Sequence, residues 1–148
     1  MDGIADFHVH LGILGGQKIV SPLLSTPLER INENALLVAL CGISNHDNMG
    51  ALFRNAAAFA AHRIVIDKTF CDPLYRKAIR VSASATLKVP YVRGGHILDI
   101  LDCLDNYGFT TIAFSGSTLL GLEKVARSRK LALLFGTEGE GLPQDVLR

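Results

Sequence analysis

The sequence has too few cysteines to be held together by disulfides. Three occur among 148 residues, Cys41, Cys71 and Cys103. They form no C-x-x-C pair, and an odd count argues against a disulfide framework. Free thiols serving as small core residues in a reducing compartment are the reading that remains. Long apolar runs are missing too, and no stretch approaches the ~18 apolar residues that a membrane-spanning helix requires. An excess of one charge is also absent, with 15 Lys and Arg against 14 Asp and Glu for a net charge of +1. That balance neither demands nor excludes a nucleic-acid partner, because a basic face can sit inside a neutral total. The opening residues, MDGIADFHVHLGILGG, carry acids where a signal peptide has a basic region, so they do not resemble one. A cytoplasmic location is therefore expected. Internal repeats and low-complexity tracts are absent. The composition, 49% hydrophobic and 20% charged, is that of an ordinary globular domain. A chain of this length suggests one domain that buries roughly 70% of its unfolded surface.

Residues 1–34 show no regular pattern. Gly12, Gly15, Gly16, Pro22 and Pro27 punctuate them, and they read as an N-terminal extension with a short helix at 28–33. From residue 35 the pattern alternates. ALLVALCGI (35–43) is a continuous apolar run, as in a buried strand. NMGALFRNAAAFAA (48–61) reads as a helix with Ala51, Ala58 and Phe59 available for packing, and with Asn48 as a candidate cap. HRIVID (62–67) is a strand. PLYRKAIRVSAS (73–84) is a helix with Pro73 at its first position. LKVPYV (87–92) is a short strand, which Pro90 confines to an edge. GHILDILDCLDNYG (95–108) is a helix with Ile97, Ile100, Leu101 and Leu104 on one face and Gly108 as its stop. FTTIAFSG (109–116) is a strand, TLLGLEKVARS (118–128) a helix and KLALLFG (130–136) a strand. A last helix is expected to begin at Leu142 or Pro143. Strands and helices alternating at this spacing imply an α/β fold with a mostly parallel sheet and helices on both faces. Ligands of such sheets bind beyond the carboxyl ends of the strands. That rule singles out 44–50, 114–118 and 136–143.

FGTEGEGLP (135–143) carries three glycines, which permit positive φ and close approach to the backbone. It matches neither the P-loop nor G-x-G-x-x-G, so it is either a cradle for another ligand or a Gly-rich turn. Arg54 stands one turn into the helix that follows SNHDN (44–48). It either snorkels or, if buried with Leu52, Phe53 and Ala56, needs a partner such as Glu138. Arg76 and Arg80 share a helix face and, with Lys77, form the best basic cluster, unless that face is merely solvated. Arg127, Arg129 and Lys130 form a second.

The first loop and helix, HDNMGALFRNAAAF, give N-x-G-x-x-x-R at Asn48, Gly50, Ala51 and Arg54. The later strand end, LLFGTEGEGLP, carries Gly136, Glu138, Gly141 and Leu142. Together these motifs resemble those of the SpoU/TrmH family of RNA ribose 2′-O-methyltransferases, in the SPOUT superfamily of knotted α/β enzymes. DPLYRKAIRVSASATLKVPYV (72–92) resembles the family's middle segment. The resemblance covers roughly 36–148, so 35–148 reads as the methyltransferase domain and 1–34 as an N-terminal extension or the remnant of a substrate-binding region. It implies S-adenosylmethionine as cofactor, RNA (ribosomal or transfer) as substrate, a homodimer, and no metal. It assigns Arg54, Asn48 and Glu138 to catalysis, Gly136, Thr137, Gly141, Phe114 and Ser115 to the cofactor, and the cluster of Arg76, Lys77 and Arg80 to RNA. A guanidinium stays protonated and is a poor base, so the role of Arg54 stays open between base, hydroxyl orienter and grip on an adjacent phosphate. Two departures stand out. The family's third motif, an S-L-N-V-S-like stretch, has no match, so the chain looks truncated before it, with the knot incomplete. Ala61 and Ser84 stand where members often carry Gly.

Two other readings compete. The same fold without turnover would be an RNA-binding or dimerisation module. DFHVH (6–10) resembles the metal site of amidohydrolases, since two His at i, i+2 on a strand point to one side. Those folds need further ligands on later strands, and a barrel of ~250 residues.

Overall fold

The computed structural model describes residues 28–29, 31, 33–116 and 120–147. Within them five parallel strands form one sheet in the order β3-β2-β1-β5-β4. These are β1 (Ala35–Leu40), β2 (Arg63–Asp67), β3 (Tyr91–Gly95), β4 (Thr110–Ala113) and β5 (Lys130–Phe135). Three helices connect them: α1 (His46–Ala58), α2 (Arg76–Val81) and α3 (Ile97–Asn106). The expected α/β class with helices on both faces is what the chain adopts.

The run ALLVAL takes the centre because it is apolar on both faces. β1 pairs with β2 from Leu37 opposite Arg63 to Leu40 opposite Ile66. It pairs with β5 from Ala35 opposite Lys130 to Leu40 opposite Phe135. Alternate residues feed two cores. Leu37, Ala39 and Cys41 join Ala132 and Leu134 of β5 against Ile97, Ile100 and Leu104 of α3. Val38 and Leu40 join Ile64 and Ile66 of β2 against Met49, Phe53 and Ala56 of α1. The apolar face expected for α3 is the one it buries, with Leu101 partly covered beside the others.

The three helices stop in the same way. A backbone N–H reaches back five residues, from Ala61 to Ala56, from Ser84 to Ile79 and from Phe109 to Leu104. The residue just before each of these donors is left-handed: Ala60 at φ 54°, Ala83 at 51° and Gly108 at 76°. This is a Schellman-type cap, which favours glycine at the left-handed position. Gly108 is the stop expected from sequence. Ser84 is also left-handed, at φ 67°, a conformation that glycine adopts most readily, and it is one of the two positions where the resemblance leads one to expect glycine. At the end of α1 the left-handed residue is Ala60, one position before Ala61, where the resemblance leads one to expect glycine.

Several elements differ from the sequence reading. α1 begins at His46, because Asn45 rather than Asn48 caps it; the Asn45 side chain accepts from Asp47 N and Asn48 N at 2.8 and 3.3 Å. Phe59 is 75% exposed, while Met49 and Gly50 are buried in the place expected for Ala51 and Ala58. Pro73 lies in a turn, and α2 starts three residues later behind Tyr75. β3 is an edge strand as expected, but it begins after Pro90 and runs to Gly95. The helix expected at 118–128 does not form in the described part: residues 120–128 hold only a 3₁₀ turn at Leu122–Lys124. Gly121 weakens a helix there by about 1 kcal/mol. Leu120 and Leu122 stay 59% and 60% exposed, so no burial offsets that cost. The helix expected from Leu142 or Pro143 is a single turn, with Val146 N bonded to Pro143 O and Leu147 N to Gln144 O. Leu28 and Glu29 are helical, and Leu28 is buried in the α3-side core. The rest of residues 1–27, including DFHVH, lies outside the described residues. No helix among those described is long and apolar enough to cross a membrane.

Candidate active site

β1 runs up the middle of the sheet, and the order reverses between it and β5, so a crevice opens where their carboxyl ends diverge. Two of the three strand-end segments singled out from sequence meet there, and two cavities lie between them. The larger, about 330 Å³, is walled by Cys41, Gly42, Asp67, Thr69, His96, Ile97, Thr137, Glu140, Leu142 and neighbours. The smaller, about 240 Å³, is walled by Ile43, Ser44, Asn45, Asn48, Thr137, Glu138 and Gly139. Thr137 lines both.

The first motif divides into three jobs. Asn45 caps α1, so the Asn48 side chain is not needed as a cap, and Asn48 lines the smaller cavity. Gly50 faces α2 at a distance that leaves no room for a side chain. A Cβ there would lie 2.8 Å from Ala78 O and 2.9 Å from Val81 Cβ. The glycine is therefore a helix-packing residue that brings α2 beside α1. Arg54 is exposed and, among the described residues, makes no ion pair or hydrogen bond. The expected burial and pairing with Glu138 are not found, because the buried side of α1 is set by Met49, Phe53 and Ala56. Arg54 lines neither cavity.

The second motif folds back on itself. Thr137 and Gly141 pair as an antiparallel bridge, with Gly141 N donating to Thr137 O at 3.1 Å. The hydroxyl of Thr137 donates to Gly141 O at 3.4 Å. Gly136 is required because a Cβ would lie 2.5 Å from Gly141 O. What approaches its backbone is the loop's own far end. Leu142 is 6% exposed and anchors the loop in the α3-side core. The bend leaves Glu138 exposed at the smaller cavity's wall and Glu140 at the larger one's. Asn48 and Glu138, singled out separately from sequence, thus share one cavity. Phe114 and Ser115 line neither cavity; Phe114 stacks on Phe135 with ring centroids 4.7 Å apart and planes 5° apart.

Sequence reasoning missed the floor of the larger cavity. Asp67 ends β2 and is 4% exposed. Its carboxylate accepts from Gly42 N (3.1 Å), Thr69 N (3.1 Å) and the Thr69 hydroxyl (2.9 Å). It thereby ties the ends of β1 and β2 together. A charged residue closing the apolar run RIVID was the available signal, since buried carboxylates need partners. Burial, and then the Asp67 charge, push the Cys41 thiol up to about 11. It is a protonated core residue at neutral pH, not a nucleophile.

The basic residues on α2 fare differently from one another. Arg76 and Arg80 are exposed. Lys77 bonds Asp47 at 2.8 Å, so its charge is partly committed to holding α2 against α1. In the second basic cluster Lys130 is likewise engaged, donating to Tyr107 O at 3.1 Å. No group of His, Cys, Asp and Glu suited to a metal ion occurs among the described residues.

The comparisons with known proteins bear on the family and the fold. The SpoU rRNA Methylase family model matches residues 35–148. An uncharacterized tRNA/rRNA methyltransferase of Mycobacterium bovis is 33% identical over 153 aligned positions, covering 100% of this chain and 52% of its own. The 23S rRNA (guanosine-2′-O-)-methyltransferase RlmB of Haemophilus influenzae is 28% identical, covering 96% of this chain and 59% of its own. The chain thus spans about half the length of the curated relatives it matches. Among solved structures, the AdoMet-bound rRNA methyltransferase of Sinorhizobium meliloti superposes with a TM-score of 0.73 at 24% identity, over 82% of this chain and 47% of that one. The SpoU methyltransferase AviRb of Streptomyces viridochromogenes gives 0.72 at 19%, over 84% of this chain and 50% of that one. These two show a shared fold. Since the family match runs over the whole sheet and both strand-end motifs, the chain belongs to the SpoU rRNA methylase family.

Proposed function

We propose that this chain carries the methyl-transfer domain of an S-adenosylmethionine-dependent RNA ribose 2′-O-methyltransferase. The observation that carries the reading is the convergence of Asn48 and Glu138 on one cavity at the sheet's switch point, within a chain of this family. The larger cavity fits the cofactor in kind. Its volume lies in the range of small-molecule sites, and it sets Ile97, Leu142 and Pro143 beside the carboxylates of Asp67 and Glu140. Such a wall suits a nucleoside that bears a positive charge. When bound, S-adenosylmethionine supplies an electrophilic methyl group.

The residues of the chain do the positioning. Asn48 offers an amide that both donates and accepts, and Glu138 an acceptor, to a ribose at the smaller cavity. Holding a hydroxyl at near-attack distance supplies much of the rate of such a displacement. Arg54, exposed and without an ion pair among the described residues, is available to grip a backbone phosphate or orient the ribose hydroxyl, as its fork geometry allows. The loop 136–142, stiffened by its internal bridge, gives the cofactor fixed backbone groups through Thr137 and Gly141, which line the larger cavity, while Gly136, which lines neither, lets the loop close on itself. Arg76 and Arg80 extend the basic surface for RNA. The same reading takes the protein as a cytoplasmic homodimer acting on ribosomal or transfer RNA.

Transfer of labelled methyl groups from S-adenosylmethionine to unmodified ribosomal and transfer RNA tests the proposal, with the product mapped by resistance to alkaline cleavage. Wild type should block cleavage at a ribose. Arg54→Ala should lower transfer ~100-fold, the scale of a positioning defect, while leaving binding of S-adenosylhomocysteine intact. Methylation of a base, or no change on Arg54→Ala, would overturn the assignment. RNA binding with no transfer by wild type would favour the non-catalytic module.

A further inference from the structure

The wall of the smaller cavity continues into an aromatic surface that neither motif explains. His46 lies between Asn45 and Asn48, both of which line the cavity. Its ring meets that of Tyr75, with centroids 4.3 Å apart and planes at 36°. Tyr75 is the residue before α2. Its side chain makes no capping bond, and it is 53% exposed. The Asp47–Lys77 ion pair fixes the start of α2 against the start of α1 beside this ring pair. α2 then presents Arg76 and Arg80, both exposed and free of ion pairs among the described residues. The result is a held, half-open aromatic face flanked by two available guanidiniums, next to the cavity that carries Asn48 and Glu138.

Unpaired RNA bases stack on aromatic side chains while arginines take the adjoining phosphates. A base inside a duplex has no free face to offer. We propose that Tyr75 is the stacking platform for an unpaired base beside the ribose held at the Asn48–Glu138 cavity, and that it selects looped or single-stranded RNA over duplex. The proposal rests on the RNA reading above. His46 sets the ring from one side, and Arg76 and Arg80 neutralise the backbone that leads from it.

The test uses the 148-residue chain with two RNA probes, a hairpin with 2-aminopurine in its loop and a blunt duplex. Tyr75→Leu keeps apolar volume and loses the ring face, and Tyr75→Phe keeps the ring. Because the side chain is exposed and makes no hydrogen bond among the described residues, both variants should melt with wild type. Wild type and Tyr75→Phe should quench the 2-aminopurine on binding. Tyr75→Leu should lose the quenching and bind the hairpin roughly tenfold more weakly, with duplex affinity and salt dependence unchanged. Arg76→Ala should instead weaken both probes and reduce the salt slope by about one. A Tyr75→Leu variant that matches wild type, or that loses hairpin and duplex equally, overturns the platform and leaves the RNA reading standing. Wild type that binds neither probe overturns the RNA reading, and the platform with it.

Discussion

In β2 every residue from Ile64 to Asp67 is buried, and β1 is covered on both faces. In β4, at the other side of the sheet, Thr110 and Thr111 are exposed, and in β5 only Ala132 and Leu134 are fully buried. α3 covers one face of that second half, while on the other face Leu131, Leu133 and the Phe114–Phe135 stack are only partly covered. The candidate site sits on the seam between the halves. Its residues are therefore fixed by different means. Asn48 is placed by a helix whose far side is packed solid through Met49, Phe53 and Ala56. Glu138 is placed by a loop that holds itself with one bridge and one core anchor, Leu142. Position on the covered half is a packing property, and position on the open half is a property of local hydrogen bonds.

The largest effect should come from a pair of truncations. Phe53, fully buried and edge-on to Tyr91 at 5.6 Å, should cost ~3–5 kcal/mol as Phe53→Ala. Phe135→Ala removes a half-buried ring whose stack is worth about 0.5–1.5 kcal/mol beyond its area, and it should cost clearly less. Urea unfolding of the two variants measures both. Equal losses would mean that the two halves are equally well packed, and the contrast would fail.

Gly50→Ala sharpens the comparison at the site itself. The added carbon meets backbone at Ala78 and Ser82, which cannot give way as a flexible side chain would. Overpacking of this kind costs roughly 1–3 kcal/mol. Because Gly50 is two residues from Asn48, methyl transfer should fall together with the urea midpoint. Stability lost with transfer unchanged would show that the α1–α2 spacing does not set the Asn48 position.

The covered half was the more legible from sequence, for a physical reason. Continuous apolar runs such as ALLVAL report burial on both faces, and the helix period of ILDILDCLDN reports a single packed face. TLLGLEKVARS looks equally helical but finds no surface that buries Leu120 and Leu122; propensity alone does not make a helix of that length. At the site, Asn48 and Glu138 were singled out separately, each in a segment at a strand end, and their sharing one cavity is seen only in the structure. The exposure of Arg54 did not, because its neighbours Leu52 and Phe53 suggested burial while the helix turns it outward. Asp67 was overlooked since a carboxylate at a strand end looks like ordinary punctuation until its three donors are seen. The glycines of the 136–141 loop were read as allowing a ligand close to the backbone, whereas what approaches Gly136 is the loop itself; Gly50 was read only as a motif position, and its fit against α2 was not foreseen.

The smallest effect separates the helix ends. α3, which serves both halves, closes on Gly108 at φ 76°, whereas α1 and α2, on the covered half, close the same turn with Ala60 and Ala83 at 54° and 51°. An L-residue in this conformation costs about 1–2 kcal/mol. Glycine removes that cost but makes the unfolded chain freer, by roughly 0.4–1 kcal/mol for such a substitution. Ala60→Gly and Ala83→Gly should therefore each stabilise by several tenths to about 1 kcal/mol, and Gly108→Ala should destabilise by a similar amount. Thermal melts read all three. The covered half tolerates two strained caps because α1 and α2 are held by packing through Phe53, Ala56 and Ala78, so the left-handed turn is imposed on the alanines rather than chosen by them. If Ala60→Gly melts lower than wild type, the turn is supported by something the methyl group touches, and the strain account of that helix end is wrong.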